Sequence, residues 1–271
     1  MTPRCNLHTH TTFCDGKNTA EEMVLGAIDA GCETLGFSGH SPIPFDNWWC
    51  MTEEGMGDYI REISRLREKY RGRIEILLGL EYDLFSDCDT SPFDYIIGSS
   101  HYVDFKGNKI SIDDEASILE AGVNEFYGGD FYALARDYYD NMYYIPEHTK
   151  CDIIGHFDLV TKFNEGGRYF DETDERYRSR AYAALGFLLE KELVLEINTG
   201  AVSRGYRKNP YPADFILKYI AEKRGRVMLN SDSHSIETLF FGFADAVEYA
   251  KACGIRKLTV MKNGKFDEIK I

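Results

Sequence analysis

The sequence contains no long apolar segment. No run of about 18 apolar residues occurs in the 271 residues, and the first residues lack the apolar stretch of a signal peptide. The seven cysteines are odd in number and none has C-x-x-C spacing, which argues against a disulfide framework. We therefore expect a cytoplasmic protein with reduced thiols and no membrane partner.

Basic residues are also scarce. The chain has 31 lysines and arginines against 45 aspartates and glutamates, which gives a formal net charge of −14. This balance argues against long nucleic acid as a partner, because a phosphate backbone attracts basic surfaces. It does not exclude a small phosphorylated substrate, since bound cations can reverse the local field of a site.

The sequence has no internal repeat and no low-complexity tract, so nothing indicates an internal domain boundary. A chain of this length with 44% hydrophobic residues can bury one large core. We expect a single domain over residues 1–271, with an insertion at about 102–150.

Short apolar runs alternate with helical patterns seven times along the chain, with an eighth strand or a terminal hairpin at 257–271. Alternation of this kind predicts parallel strands with helices outside them. Polar residues gather where the runs end, and a closed ring would bring all these ends to one mouth. We therefore predict a distorted TIM-like barrel of seven or eight strands rather than an open sheet, with its site at the C-terminal ends of the strands.

The stretch Asn6-Leu7-His8-Thr9-His10 supplies the first candidate ligands, because alternate residues of a strand point to the same side. Six of the seven histidines end short apolar runs or fall just beyond them. The candidate metal ligands at the predicted mouth are His8, His10, Asp15, His40, Glu81, His101, His156, Asp232 and His234. Nine ligands are too many for one tetrahedral ion and suit two or three divalent ions such as zinc, manganese or iron. Glu81 is the expected bridge, because a carboxylate can give one oxygen to each of two ions.

The order of these motifs resembles the PHP (polymerase and histidinol phosphatase) family. The motifs are N-L-H-T-H at 6–10, S-G-H-S-P at 38–42, G-L-E at 79–81, G-S-S-H at 98–101, G-H-F-D at 155–158 and N-S-D-S-H at 230–234. E-I-N-T at 196–199, the loop at 204–212 and the wide interval at 102–155 resemble the monofunctional histidinol-phosphatase branch in particular. The resemblance implies a distorted (β/α)7 barrel with a trinuclear centre that hydrolyses phosphate esters.

The resemblance also implies which residues share an ion. One ion would be held by His8, His10, Glu81 and Asp232, a second by Glu81, His101 and His156, and a third by Asp15, His40 and His234. Gly39 and Ser233 depart from the residues that are common in the family, but neither is a ligand position.

Two arginines of the 199–212 loop, Arg204 and Arg207, could hold a phosphate bidentately. Lys162 is a further candidate at the same mouth, and Asp158 is a candidate orienter of a ligand. With Glu81, Asp232 and His234, the two arginines complete the predicted catalytic set. No residue stands out as the acid that protonates the leaving group.

The resemblance supplies L-histidinol phosphate as the expected substrate, which the enzyme would hydrolyse in histidine biosynthesis. The insertion carries acidic and aromatic residues that could fold over the mouth as a lid and receive an amine and an imidazole, with Glu115 as a candidate contact. These residues are Asp113, Asp114, Glu115, Phe126, Tyr127, Phe131 and Tyr132. The oligomeric state stays open.

Three other interpretations compete with this function. The protein could be a PHP phosphoesterase for another small phosphate ester or a nucleotide. It could be an amidohydrolase-type enzyme, although no strand ends in the metal-bridging lysine that such enzymes usually need. It could also be a non-catalytic PHP module of a polymerase, against which the complete ligand set argues.

Overall fold

A computed structural model describes residues 2–271, and strands and helices alternate through most of this range. The strands are β1 (Cys5–Asn6), β2 (Thr34–Phe37), β3 (Glu75–Asp83), β4 (Tyr95–Ser99), β5 (Tyr102–Phe105), β6 (Asn108–Ser111), β7 (Ile153–Ile154), β8 (Val194–Asn198), β9 (Arg226–Asn230), β10 (Lys257–Lys262) and β11 (Lys265–Lys270). The helices are α1 (Ala20–Asp29), α2 (Glu53–Lys69), α3 (Ala116–Tyr127), α4 (Phe131–Asn141), α5 (Ile145–Thr149), α6 (Glu175–Glu190), α7 (Gly200–Ser203), α8 (Asp214–Lys223) and α9 (Phe243–Ala252). None of the helices within residues 2–271 is long and apolar enough to cross a membrane.

The parallel strands form a closed ring. Strands β1, β2, β3, β4, β7, β8 and β9 are hydrogen-bonded neighbours in that order. The ring closes just beyond β1 and β9, where the amide of Ser233 donates to the carbonyl of His8 over 3.1 Å and the amide of His10 donates to that of Ser233 over 2.8 Å. The predicted distorted (β/α)7 barrel is therefore confirmed.

The C-terminal hairpin of β10 and β11 extends the sheet beside this ring. Strand β10 runs parallel to β9 and pairs with it at Thr259 and Met228, and β11 returns antiparallel to β10. Val260 and Met261 of β10 pack in the same buried cluster as Leu7 of the barrel interior. The hairpin thus helps to fill the barrel at the end opposite the predicted site.

Tyr95 on β4 fills the middle of the barrel. Its hydroxyl donates to the carbonyl of Leu7 over 2.5 Å and to that of Phe37 over 3.1 Å, which connects β4 to the residues that follow β1 and to β2. A Cβ atom on Gly36 or Gly79 would overlap with the phenol of Tyr95. Glycine at these two positions therefore lets the phenol cross the barrel below the first histidines.

The segment between β4 and β7 folds into a hairpin followed by three helices. The polar stretch at 103–120 contains the hairpin of β5 and β6 and the start of α3. The aromatic residues over 125–145 predict one helix in the sequence, but the structure has two in this region, α3 and α4. Gly128 and Gly129 have φ values of 61° and 87°, and this left-handed backbone ends α3 before α4 begins.

Replacing Gly79 with alanine should destabilise the fold by about 1–3 kcal/mol, because the new methyl group would be forced against Tyr95 in a packed interior. Urea unfolding of the wild type and the variant measures this change. Gly186→Ala is the control, since position 186 lies in α6 with only ordinary contacts and alanine favours helices. Equal stability of Gly79→Ala and the wild type would contradict the packing described for Tyr95.

Candidate metal centre

The nine predicted ligand side chains lie together at the C-terminal ends of the barrel strands. Glu81 lies in β3, and the others follow the ends of the strands or lie in the loops beyond them. Most are buried: His8 and His10 are fully inaccessible, and Glu81 is 1% exposed. Asp15 is the most open, with 32% of its side chain exposed.

Glu81 lies between two groups of histidines. Its Oε1 atom is 2.8 Å from Nε2 of His156 and 3.4 Å from Nε2 of His101. Its Oε2 atom is 2.8 Å from Nδ1 of His40 and 3.2 Å from Nε2 of His8. The two oxygens therefore point to different groups, as a bridging carboxylate requires.

Asp232 and Asp15 complete the groups on the Oε2 side. Nε2 of His10 is 3.2 Å from Oδ1 of Asp232, and His8 lies in the same group. Asp15 contacts His234 at 3.1 Å and His40 at 3.5 Å. His10 also belongs to the group of Asp15, His40 and His234, because potential ligand atoms of all four residues lie within 4.8 Å of one another.

Several of these atoms lack a hydrogen-bond partner among the described residues. Nε2 of His8 and of His10, Nδ1 of His40 and Oε2 of Glu81 are buried and face one another without hydrogen-bond geometry. Buried polar atoms without partners are rare and costly, and a cation among them would remove the cost. The imidazole and carboxylate donors therefore fit a divalent metal site.

The ionisable side chains of the cluster are close enough to shift each other's pKa values, upward for His8 and downward for His10 and Glu81. Burial alone would lower the pKa of His8, but the carboxylates of Glu196, Glu81 and Asp232 raise it well above its usual value. Burial and the neighbouring imidazoles lower the pKa of His10 to about 3. Burial would raise the pKa of Glu81, yet the histidines around it hold that pKa well below its usual range. The carboxylates are thus stabilised as anions, which is the form that binds a metal ion.

Two further buried carboxylates contact the Nδ1 atoms of candidate ligand histidines. Oε1 of Glu196 is 2.7 Å from Nδ1 of His8, and Oδ2 of Asp83 is 2.9 Å from Nδ1 of His101. The sequence pattern by itself assigns neither residue a role. The available signal was an acidic residue within an apolar strand, two positions from another polar residue on the same face, as in E-Y-D at 81–83 and E-I-N at 196–198.

Arg204 and Lys162 line the cavity above these groups. The guanidinium of Arg204 donates to Oδ2 of Asp232 over 3.0 Å and to the carbonyl of the same residue over 3.1 Å. A Cβ on Gly200 would lie 2.7 Å from this guanidinium, so the glycine makes room for it. The ammonium of Lys162 lies 3.6 Å from the carboxylate of Asp113.

Arg207 and Glu115 lie outside the cavity lining. Arg207 donates to Oε1 of Glu172 and to the carbonyl of Thr161, both over 2.9 Å, and 11% of its side chain is exposed. Glu115 is exposed at the start of α3, where its carboxylate contacts Ser117. The two preceding acidic residues of the insertion line the cavity instead. Asp158 accepts a hydrogen bond from the amide of Ala213 rather than contacting a ligand histidine.

The sequence model of the PHP domain matches residues 6–200, which is more than half of the chain. The chain belongs to the PHP family. A Deinococcus radiodurans protein named "Probable histidinol-phosphatase" is 32% identical, over 96% of this chain and 97% of the relative. The histidinol-phosphatase of Bacillus subtilis is 26% identical, over 89% of this chain and 97% of the relative.

A solved structure has the same fold. Histidinol phosphate phosphatase from Lactococcus lactis, in complex with zinc, L-histidinol and phosphate, gives a TM-score of 0.68 at 21% identity. The match covers 97% of this chain and 98% of the solved one. The shared fold places this PHP chain among the distorted TIM-like barrels of the family.

Glu81→Gln should reduce metal binding by the histidines next to both carboxylate oxygens. The amide carries no charge, and it turns an NH2 group towards one of these two sets of imidazoles. Asp15→Asn should disturb one side only. We expect more than one ion per chain in the wild type, fewer in Asp15→Asn and fewest in Glu81→Gln, with activity falling in the same order. Elemental analysis of protein purified without chelator measures the ions.

Glu75→Gln is the matched control, because Glu75 lies at the opposite end of β3 and contacts Thr34 rather than a histidine. It should keep the ion count of the wild type. A metal-free wild type with full activity would refute a metal centre at this site.

Proposed function

We propose that this protein is a metal-dependent phosphomonoesterase that hydrolyses L-histidinol phosphate to L-histidinol and phosphate, a reaction of histidine biosynthesis. The observation that carries the proposal is the buried cluster of imidazoles and carboxylates opening into a cavity that also holds Arg204 and Lys162. The names of relatives aligned over nearly the whole chain support the choice of ester. We further propose two to three zinc, manganese or iron ions and a cytoplasmic location.

Phosphate-monoester hydrolysis is among the slowest uncatalysed reactions, so the site must offset much negative charge. Bound divalent ions would neutralise phosphate oxygens and lower the pKa of water. Arg204 is the residue best placed to assist, because its guanidinium lines the cavity next to Asp232. A phosphate oxygen could accept the hydrogen bonds that this guanidinium now gives to Asp232. Lys162 provides a second positive charge on the cavity wall.

The wall of the cavity beyond the histidines is aromatic and acidic, which suits the alcohol part of histidinol phosphate. The indole of Trp49 donates to the hydroxyl of Tyr102 over 3.1 Å, and this hydroxyl donates to Asp46 over 2.6 Å. Burial and the neighbouring carboxylates raise the pKa of Asp114, which also lines the cavity. A rim of carboxylates and aromatic faces favours an alcohol that carries an amine and an imidazole.

Arg204→Ala should lower turnover by about 10²-fold or more, because removing a charge-assisted hydrogen bond to the transition state costs about 2–4 kcal/mol. Steady-state kinetics with the ion content checked in parallel measures this loss. Unchanged turnover in Arg204→Ala would remove this residue from the catalytic set.

Arg207→Ala serves as the comparison, since Arg207 belongs to the same loop but pairs with Glu172 outside the cavity. The structure leads us to expect a lower melting temperature from this substitution and a smaller effect on turnover than from Arg204→Ala.

The substrate is tested by comparing kcat/KM for histidinol phosphate, glycerol phosphate and a nucleoside monophosphate in the presence of zinc or manganese. We expect at least a tenfold preference for histidinol phosphate, because only this ester uses the acidic and aromatic rim. A preference below about tenfold, worth about 1.4 kcal/mol, would make the protein a general phosphoesterase. Glu81→Gln should be inactive on every ester, which controls for a contaminating phosphatase.

A further inference from the structure

Two buried carboxylates, Glu196 on β8 and Asp83 on β3, lie behind the candidate ligands His8 and His101. We propose that they are positioning residues that fix the tautomer and the ring orientation of these two histidines, and thereby set the metal affinity of the site. They would act through the histidines, because their carboxylates contact the Nδ1 atoms rather than the cavity.

Glu196 is fully buried and surrounded by donors. Its Oε2 accepts hydrogen bonds from the backbone amide of His156 over 2.9 Å and from the side chain of Asn198 over 2.8 Å. Its Oε1 accepts one from the side chain of Asn230 over 3.0 Å and lies 2.7 Å from Nδ1 of His8. A carboxylate only accepts, so the proton of His8 must sit on Nδ1.

The opposite ring nitrogen is then free to bind a cation. In the neutral form that a metal ion would bind, the proton stays on Nδ1, and the lone pair of Nε2 points towards Oε2 of Glu81, 3.2 Å away, and towards Asp232. This is the tautomer that binds a metal through Nε2.

Asp83 makes the equivalent arrangement on the other side of Glu81. Its Oδ2 accepts a hydrogen bond from the backbone amide of His101 over 2.9 Å and lies 2.9 Å from Nδ1 of the same residue. Its Oδ1 accepts from the amide of Phe85, which holds the carboxylate in place. Nε2 of His101 therefore faces Oε1 of Glu81, and each oxygen of Glu81 has one histidine of fixed tautomer beside it.

Amide substitution tests this assignment without a large change in volume. In Glu196→Gln the NH2 group must replace an acceptor in a pocket where every neighbour donates, so it competes with the proton on His8. Asp83→Asn does the same to His101 on the other side. Partners of ligand histidines typically change metal affinity by about 10–100-fold when they are lost.

The experiment measures zinc affinity in metal-stripped protein by competition with a chromophoric chelator. We expect Glu196→Gln and Asp83→Asn to bind zinc about 10–100-fold more weakly than the wild type. Nitrogen NMR of the histidine rings should show protonated Nδ1 on His8 and His101 in the zinc-loaded wild type, and loss of that signal for the histidine affected in each variant.

Tyr95→Phe is the control for general destabilisation. It removes buried hydrogen bonds to the carbonyls of Leu7 and Phe37 beneath the histidines without touching a ligand side chain. Its melting temperature should fall while its zinc affinity stays at the wild-type value. Should Glu196→Gln fail to fold, Asp83→Asn tests the same claim, and Glu196→Asp restores the charge at a greater distance from His8.

If the folded variants Glu196→Gln and Asp83→Asn keep the zinc affinity and the imidazole nitrogen signals of the wild type, both carboxylates have only a structural role. A wild type that binds no zinc would overturn the metal centre and the positioning roles together. Weaker zinc binding in both variants, combined with no preference for histidinol phosphate, would leave the positioning roles intact and reject the proposed substrate.

Discussion

The buried carboxylate of Glu81 is the constraint on which the rest of the site depends. A buried carboxylate is costly unless opposite charges surround it, and Glu81 is 1% exposed. Imidazoles approach both of its oxygens from the ends of several strands, with His156 and His40 each at 2.8 Å. A ring of strands can deliver side chains to one point from every direction, whereas the strand ends of an open sheet form a line. The barrel therefore brings together the imidazoles that offset the cost of burying this carboxylate.

Protonation of the histidines alone does not balance the charges of this cluster. His8 is pushed towards its charged form by three carboxylates, while burial and the neighbouring imidazoles lower the pKa of His10 to about 3, so adjacent rings have opposite preferences. A divalent cation would remove this conflict, because imidazole lone pairs and carboxylate oxygens can face the same positive charge. The overall acidity of the chain fits this picture, since bound cations would add to the positive charge that Arg204 and Lys162 bring to the cavity.

The fold and the clustering of the candidate ligand side chains could be predicted from sequence because both follow from local signals. Apolar runs of strand length end at His40, His101 and His156, and parallel strands bring such ends together. Side-chain pairing was not predictable in this way. Glu196 is 188 residues from His8, and Arg207 pairs with Glu172 from 35 residues away, so neither contact leaves a local pattern. Arg207 and Arg204 look equivalent in the sequence, and only the fold separates them.

The junction where the first and last strands of the barrel meet, here called the seam, has a consequence for stability. The first and last strands of the ring meet through contacts such as the hydrogen bond from Asn6 to Ser231, which spans 225 positions of the chain. His8 and His10 on one side of this seam face Asp232 on the other. An ion held between them would tie together two segments that are far apart in the chain, and an ion that binds only the folded chain stabilises it by mass action. Resistance to unfolding and free metal concentration should thus rise together, which links the persistence of the protein to the metal supply of its surroundings.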